Sequence, residues 1–529
     1  MSIPANQRLF NRRHFLQATG SATALLVVSA CTSATPPSPS PSADALIPAG
    51  PQRGGILRIA MPDAVTQLDP ALCFSVTDIN LAFLTYDTLT RLDERDAADP
   101  VKPHLAETWE LSADGLSYTF HLRTGVTFQH GTPLTAKDVA YTFQRLLDPA
   151  LGSSVSATLH FLDRVVAVDE QIVEFQLKTP NVILPSTLAN FFFSIVPHDR
   201  TSEQLSQQSA GSGPFQLAEQ VPGERAVLKR NPQYWHPEQP YLDEVQLLTI
   251  TEATSQIAAL TSGTVDMVAQ VGLEQLPVLE PNAEIKLIEN QGLAHLFVMR
   301  VTDKPFDDVR VRQAFKHAVD RPALQQLILQ GHGQPGNDQP VSPHSPMWAN
   351  VPPLAYDIEK AKQLLADAGY ADGVAVTLTV TDLTPRIVDA AVALQEMVKP
   401  AGINITLEKT SMDVYLSEKY GQTPFYVDWV PLPLEPDNAL TLSFGREAPF
   451  NLSGWSDDRV DELVNNARQE REPAKRKQMY AEVQQRISQE GAVLIPYFAP
   501  GWIATRTHVQ GIIPSNFIRA ESIWLSPNN

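Results

Sequence analysis

Cysteine is almost absent from this chain, which has only Cys31 and Cys73 among 529 residues. A disulfide within one chain would have to join these two, and acylation of Cys31 would remove even that option. A framework of disulfides is therefore excluded as the basis of folding. We expect Cys73 to be a small buried residue of an apolar environment.

Basic residues are also scarce, since 40 Lys and Arg stand against 59 Asp and Glu and give a formal net charge of −19. No basic block is present, which argues against a nucleic-acid partner. The sequence also lacks the patterns G-x-S-x-G, H-E-x-x-H, C-x-x-C and the P-loop. These absences leave an enzyme open, because a catalytic triad can be assembled from distant residues.

Two weak patterns occur in one Gly- and Pro-rich loop. Gly331–Gly336 matches G-x-G-x-x-G, but it follows an apparent helix instead of a strand, and Pro335 stands where a helix should begin. His332 and His344 lie in the same loop without cysteines or a second histidine at ligand spacing. We therefore predict a solvated loop, and neither a metal nor a cofactor.

The first residues are typical of an export signal. Arg12 and Arg13, followed by Phe and Leu, resemble the twin-arginine motif. The apolar run Ala18–Ala30 is too short to span a membrane, and small residues precede Cys31 as in a bacterial lipobox. We predict a signal over residues 1–30, lipidation of Cys31, and a Pro- and Ser-rich tether over residues 31–52. The alternative is a soluble secreted protein with a coincidental cysteine.

A length of 529 residues is too great for one core, so two or three domains are expected. One stretch, Thr423–Leu440, is unusual in its order of residue types. Aromatic and β-branched residues favour a strand that ends near Trp429, and prolines at 431, 433 and 436 then stop it. The pattern indicates either a core strand with a tight connection or the wall of a binding cleft.

The segment His104–Pro149 contains a predicted hairpin and a predicted helix. Ala113-Asp114-Gly115 is typical of a hairpin turn, and Thr135 with Asp138 three residues later predicts a helix start. Several further blocks follow in order: Gly211–Phe215, Val221–Arg225, Arg230–Trp235, Ala259–Asp266, Lys304–Leu324, Asp357–Tyr370 and Ile495–Tyr497. Together these blocks resemble the signature of family 5 extracellular solute-binding proteins, the peptide, nickel and related receptors of ABC importers.

This resemblance implies an α/β, two-lobed periplasmic-binding-protein fold with an extra inserted subdomain, of the cluster C type. It assigns residues 53–82, 209–270 and 499–529 to lobe I, residues 83–208 to the inserted subdomain, and residues 271–498 to lobe II. We expect the chain to cross between the lobes near Val268–Gly272 and near Tyr497–Trp502. Closure of the cleft between the lobes would then enclose a ligand.

The resemblance also implies a function without covalent chemistry. The chain would be a monomeric receptor, anchored by lipid to a membrane and facing the periplasm or the cell exterior. It would deliver a small solute to the permease of an ABC importer. Two alternatives remain: a solute sensor that signals to a membrane partner, and a hydrolase on the same scaffold.

The family places a ligand-stacking tryptophan at Trp429 and a cleft loop of the first lobe at Phe74 and Ser75. Pro431 and Leu432 belong to the loop that would contact the ligand. Peptide-binding members carry an acidic residue three positions after the tryptophan, where it pairs with the peptide ammonium. Because Leu432 occupies that position, we expect weak binding of peptides with a free N-terminus. A metal chelate, an opine-like or modified peptide, an oligosaccharide or a more apolar solute fits better, unless Asp428 or Glu435 supplies the carboxylate.

Overall fold

The computed structural model describes residues 50–527, apart from positions 97, 154, 433, 434, 447 and 449. The predicted export signal with Arg12 and Arg13, the predicted lipidation site Cys31 and all but the end of the predicted tether lie outside the described residues. In the described part, no helix is long and apolar enough to cross a membrane.

Strands and helices alternate along most of the described chain. The strands are β1 (Ile56–Met61), β2 (Thr90–Leu92), β3 (Val101–Pro103), β4 (Ala106–Leu111), β5 (Ser117–Leu122), β6 (Leu162–Ala167), β7 (Ile172–Leu177), β8 (Phe215–Val221), β9 (Arg225–Arg230), β10 (Glu244–Thr249), β11 (Met267–Val268), β12 (Ile285–Met299), β13 (Gln334–Pro335), β14 (Val374–Val380), β15 (Ile403–Lys409), β16 (Phe425–Pro431), β17 (Val493–Leu494), β18 (Tyr497–Arg506), β19 (Val509–Gln510) and β20 (Trp524–Leu525).

The helices carry the remaining regular structure of the described part. They are α1 (Val76–Thr85), α2 (Ala136–Leu147), α3 (Leu184–Thr187), α4 (Ser202–Gln207), α5 (Ala253–Ser262), α6 (Leu276–Leu279), α7 (Val309–His317), α8 (Arg321–Leu329), α9 (Ile358–Asp367), α10 (Ile387–Val398), α11 (Met412–Val414), α12 (Asp437–Ser443), α13 (Asp458–Gln469) and α14 (Pro473–Glu490).

Local sequence signals set several of these boundaries. The α2 helix begins after Thr135, whose amide donates to the Asp138 carboxylate at 2.8 Å, as the sequence predicts. Gly115 closes the β4–β5 hairpin with a φ of +76°, a conformation that glycine adopts without strain. Asp357 caps α9 by accepting from the Lys360 amide at 2.8 Å. These elements therefore follow from short stretches of sequence.

One sheet of twelve strands runs through the molecule in the order β15-β14-β16-β12-β18-β11-β1-β10-β9-β8, with β13 and β17 paired at its side. One half contains the parallel strands β14, β15 and β16, and the other contains the parallel strands β1, β10 and β11. The two central strands, β12 and β18, pair with each other in antiparallel fashion and belong to both halves. The β12–β18 pair is therefore the structural link between the halves.

The β12–β18 pair is interrupted by a bulge between Asn290 and Leu293. Gly292 has a φ of +64°, and a Cβ atom there would lie only 1.9 Å from the Ala499 carbonyl oxygen. A Cβ atom on Gly501 would lie 2.1 Å from the Asn290 side-chain oxygen. The two strands approach so closely at the bulge that glycine is required on both of them.

The second predicted crossing, near Tyr497–Trp502, coincides with the first part of β18. The first lies later in the chain than expected. Residues after Val268 run beside β18 only as far as Val271, whose amide donates to the Trp502 carbonyl, and the chain then returns to the level of Arg506 before β12 begins. The chain crosses along β12, whose 15 residues pair with β16 in one half and with β18, the partner of β11, in the other.

A second sheet, in the order β4-β5-β7-β6, has its own core. Phe120, Phe143 and Phe175 pack there with ring centroids 4.8–5.1 Å apart, and none of the three is exposed. Two further hydrophobic clusters fill the two halves of the main sheet, one mostly from residues 257–504 and one mostly from residues 57–269 and 503–523. The lobe and subdomain boundaries given above stay a prediction.

The close approach at the bulge can be tested with Gly292→Ala, for which Gly125→Ala is the matched control. Both glycines have positive φ, but a Cβ atom on Gly125 would meet no atom within 4 Å. We expect Gly125→Ala to cost about 1–2 kcal/mol of unfolding free energy from backbone strain alone. Gly292→Ala should cost about 2 kcal/mol more, because the methyl group overlaps the Ala499 carbonyl. Urea unfolding measures both, and equal losses would contradict the close approach.

Candidate functional site

The two halves of the main sheet point their carboxyl ends at each other. β1 is parallel to β11, and three antiparallel pairings, β11–β18, β18–β12 and β12–β16, follow across the sheet. An odd number of reversals means that β1 and β16 run in opposite directions. Ligands of open α/β sheets bind outside the carboxyl ends of the strands. The space between the end of β1 and the end of β16 is therefore the candidate site.

The register of the central strands gives the width of this space. Ala60 of β1 is level with Leu287 of β12 through Val268 and Ala504, so the end of β1 is level with Ile288. The last residue of β16, Pro431, pairs with Leu293. Five residues of β12 separate these levels, which corresponds to about 15 Å along a strand. The bulge at Asn290–Leu293 forms the floor of the cleft.

Trp429 stands in a row of side chains on one wall of this cleft. It pairs with His295 of β12, and His295 is in turn hydrogen-bonded to Tyr497 of β18. Directly opposed residues of antiparallel strands project from the same face of a sheet. His295 and Tyr497 are buried, whereas the Trp429 side chain is 43% exposed. An indole with one free face is therefore presented to the cleft.

His295 connects the row to the loop that follows β14. Its Nδ1 atom lies 2.8 Å from the Tyr497 hydroxyl, and its Nε2 atom lies 2.9 Å from the Thr384 hydroxyl. Burial lowers the pKa of His295 to about 3, so the ring is neutral at physiological pH. A neutral ring donates from one nitrogen and accepts at the other, and the two hydroxyls can satisfy both. His295 thus fixes the position of the loop.

Arg386 ends this loop and was not singled out from the sequence. It precedes α10 with a φ of +63°, which is uncommon for a residue with a side chain. Its Nε atom is buried and has no hydrogen-bond partner, although it lies 3.4 Å from the carboxylate of the exposed Asp389. The loop follows the carboxyl end of β14, which is parallel to β16. Arg386 therefore lies at the same edge of the sheet as Trp429.

Pro431 and Leu432 lie on opposite sides of the cleft wall. Side chains alternate along a strand, so Pro431 shares the exposed face of Trp429. Leu432 is only 1% exposed and belongs to the large hydrophobic cluster of this half of the sheet. The side chain at the position of the expected acidic residue is thus packed in the core.

Two carboxylates close to Trp429 in sequence lie in surroundings that raise their pKa values. Asp428 accepts from the Tyr420 hydroxyl at 3.0 Å and from the Trp429 amide at 2.8 Å, and burial raises its pKa to about 6. Burial, reinforced by the Asp437 charge, raises the pKa of Glu435 to about 7. One Glu435 oxygen is buried without a hydrogen-bond partner. Both groups sit where the charged form is disfavoured.

Phe74 and Ser75 lie on the other half of the sheet, in the segment between β1 and α1. Phe74 is 94% exposed, so its ring packs against almost nothing. The Ser75 hydroxyl caps α1 by accepting from the Asp78 amide at 3.1 Å. Cys73 beside them is buried, as the sequence predicts, and burial raises the pKa of its thiol. An exposed phenyl ring thus stands at the end of a rigidly capped segment.

The sequence predicts Trp429 and Phe74 as site residues but gives no prediction for His295, Thr384 and Arg386. His295 had a usable signal, because it is the one polar residue in the apolar run Leu293–Met299. Tyr497 lies in the block Ile495–Tyr497, which contributed only to the family resemblance. Thr384 and Arg386 stand 89 and 91 positions from His295, and no local pattern connects them.

The burial of Leu432 predicts that an acidic residue there disrupts the core. We expect Leu432→Asp to lower the free energy of unfolding by about 3 kcal/mol or more, because an unpaired carboxylate would be buried. Leu432→Met has a similar volume and should cost less than about 1.5 kcal/mol. Urea unfolding of both variants tests this, and a well-folded Leu432→Asp variant would show that the position faces the cleft.

The raised pKa of Asp428 predicts a pH-dependent penalty. A carboxyl group with a raised pKa in the folded state contributes stability that is fully present below its unfolded pKa, about 3.9, and is lost as the pH rises through about 6. Asp428→Asn should therefore be about 1–3 kcal/mol more stable than the parent at pH 7 and equally stable near pH 3.5. Thermal unfolding across this range measures the difference. Asp413→Asn, at an exposed carboxylate, should show no such trend.

The sequence matches known proteins along most of its length. The model of the bacterial extracellular solute-binding proteins, family 5 Middle, matches residues 100–450. The chain is 28% identical over 450 residues to the glutathione-binding protein GsiB of Escherichia coli, covering 82% of this chain and 86% of the relative. It is 27% identical over 486 residues to the heme-binding protein A of Haemophilus influenzae, covering 85% and 88%.

Solved structures agree in fold. The periplasmic binding protein DppA of Helicobacter pylori, in complex with the peptide STSA, is 25% identical with a TM-score of 0.77, covering 90% of this chain and 98% of that one. AgaA of A. tumefaciens, in complex with agropinic acid, is 24% identical with a TM-score of 0.77, covering 90% and 99%. The chain belongs to the family 5 extracellular solute-binding proteins and has the two-lobed, mixed α/β fold of periplasmic binding proteins.

Proposed function

We propose that this protein captures one small solute between Phe74 and Trp429 and delivers it to an ABC importer as a lipid-tethered monomer. Delivery of a solute to an importer is the function of the family. The observation that carries the proposal for the site is the pair of opposed carboxyl edges, each with an exposed aromatic ring. Aromatic rings with a free face bind ligands by stacking and by excluding water.

The first 52 residues of the sequence support the proposed lipid tether. Arg12 and Arg13 would direct export, Cys31 would carry the lipid, and residues 32–52 would separate the folded part from the membrane. The family is extracellular, which places the protein in the cell envelope, and the lipid would keep it near its permease. A tether of about twenty residues reaches tens of ångströms, so the receptor can move between the permease and free solution.

A role without covalent chemistry is supported by the state of the polar groups in the cleft wall. Both ring nitrogens of His295 are within hydrogen-bond distance of hydroxyl groups, and burial keeps the ring neutral. Asp428 is bonded to Tyr420 on the opposite face of the strand. These groups position the wall, and none of them is arranged as a nucleophile with an adjacent base.

The solute is proposed to be an anion without a free ammonium group near Trp429. Leu432 is packed in the core, the Asp428 carboxylate is bonded to Tyr420, and burial disfavours the charged form of Glu435, so an ammonium would be poorly paired there. Arg386 offers a guanidinium to a carboxylate. The solved structures of relatives include complexes with agropinic acid and mannopinic acid as well as complexes with peptides. An opine-like acid or an N-blocked peptide is the favoured class.

Native mass spectrometry of the purified full chain tests the proposed function. We expect a non-covalent adduct that is released intact on unfolding, carries a carboxylate and fails to react with amine reagents. An adduct with a primary amine would refute the solute class and leave the receptor function intact. Turnover of the released solute by the protein would refute the receptor function.

Trp429→Ala should weaken rebinding of the released solute about tenfold or more, because stacked aromatic anchors supply much of the energy of small interfaces. Tyr356→Ala removes another exposed aromatic ring, in the segment that precedes α9, and serves as the matched control. Titration calorimetry measures both affinities. Equal affinities for the two variants would exclude Trp429 from the site.

A further inference from the structure

The four-stranded sheet β4-β5-β7-β6 contacts the connection between helices α13 and α14. Arg471, in the short connection between α13 and α14, donates from Nη2 to the Ser112 carbonyl at 2.5 Å and to the Ala113 carbonyl at 3.2 Å. Both carbonyls belong to the β4–β5 hairpin. One guanidinium thus holds two backbone oxygens of a turn, which is a geometry that favours arginine over lysine.

A second contact lies one helical turn away. The Val182 amide, in the segment after β7, donates to the Arg468 carbonyl at 2.6 Å. The short 3₁₀ turn Ser156–Leu159 of the same sheet lies beside α12. The four-stranded sheet is therefore held against α12 and the end of α13 by backbone hydrogen bonds and by Arg471.

Arg468 also reaches the loop that follows Trp429. Its Nε atom donates to Asp437 at 2.9 Å, and its Nη2 atom donates to the Thr441 hydroxyl. Asp437, the first residue of α12, accepts in addition from the Tyr480 hydroxyl at 3.3 Å. The same residue thus binds the four-stranded sheet through its carbonyl and fixes the end of the cleft loop through its side chain.

The chemistry of these contacts suits a reversible interface. Arg471 is exposed, and its acceptors are backbone carbonyls that water can solvate when the contact opens. The β12–β18 pair, in contrast, is a strand ladder interrupted only by the bulge between Asn290 and Leu293. Opening of the cleft must therefore break the contacts made by Arg471 and Val182, and it must bend the β12–β18 pair.

We propose that Ser112, Ala113, Val182, Arg468 and Arg471 form a closure latch, and that Arg468 couples this latch to the cleft loop. The latch stabilises the closed arrangement with residues that touch no solute, so it contributes to solute affinity by shifting the population of that arrangement. The inference goes beyond the proposed function and does not depend on the identity of the solute.

Hydrogen–deuterium exchange of the full chain tests the latch without any ligand. Arg471→Ala should speed exchange of the Val182 amide and of residues 111–117 about three- to tenfold, because the local opening becomes less costly. Arg459→Ala is the matched control, since Arg459 is an exposed arginine of α13 whose partners, Glu462 and Glu482, lie within α13 and α14. Arg471→Lys keeps the charge but cannot hold both carbonyls equally well, and it should fall between the two.

Unchanged exchange at Val182 in Arg471→Ala would overturn the latch. Faster exchange throughout β12 would also overturn it, because Arg471 would then support the whole fold. The coupling has its own variant, Thr441→Val, which removes a hydroxyl acceptor of Arg468. It should speed exchange at Val182 and leave residues 111–117 unchanged, and the absence of that effect would refute the coupling.

Discussion

The close pairing of β12 with β18 is the constraint on which the rest of the structure depends. These two strands are the only members of the described main sheet that pair within both halves, so every arrangement of the halves must keep their ladder intact. The bulge concentrates the departure from regular pairing at Asn290–Leu293. Glycine at positions 292 and 501 allows the strands to approach there. Bending is therefore confined to one point, which is also the floor of the cleft.

The cleft wall combines rigid support with exposed apolar surface. His295 is neutral, buried and bonded on both sides, so it holds β12, β18 and the loop after β14 in one arrangement. Trp429 stands in the same row and keeps much of its ring accessible. A ligand that stacks on Trp429 gains contact area without ordering a mobile side chain, because the neighbouring residues are already fixed.

Much of the fold was predictable because its signals are local. The hairpin at Gly115, the start of α2 at Thr135 and the cap of α9 at Asp357 each depend on a few adjacent residues. The position of Trp429 at an accessible strand end was predicted from the prolines that follow it. The family resemblance supplied the architecture that these local signals could not.

The remaining features depend on tertiary register. Whether Leu432 faces the core or the cleft is decided by the pairing of β16 with β12, and a shift of one residue would reverse it. The same is true of the hydrogen bonds that join His295 to Thr384 and Tyr497. The pairing of β12 in both halves likewise depends on partners that are distant in sequence.

The pairing of β12 with β18 also sets the width of the candidate cleft, and with it the length of the proposed solute. The walls are set apart by a count of strand residues, so the cleft accommodates about four residues of extended peptide or a molecule of equal length. Adding two residues to each of the two strands would widen it by about 7 Å and leave every side chain on its original face, since side chains alternate with a period of two. Adding a single residue would move the side chains that follow it to the opposite face of the sheet. Insertions in pairs are therefore the changes that widen this cleft without moving core side chains to its surface.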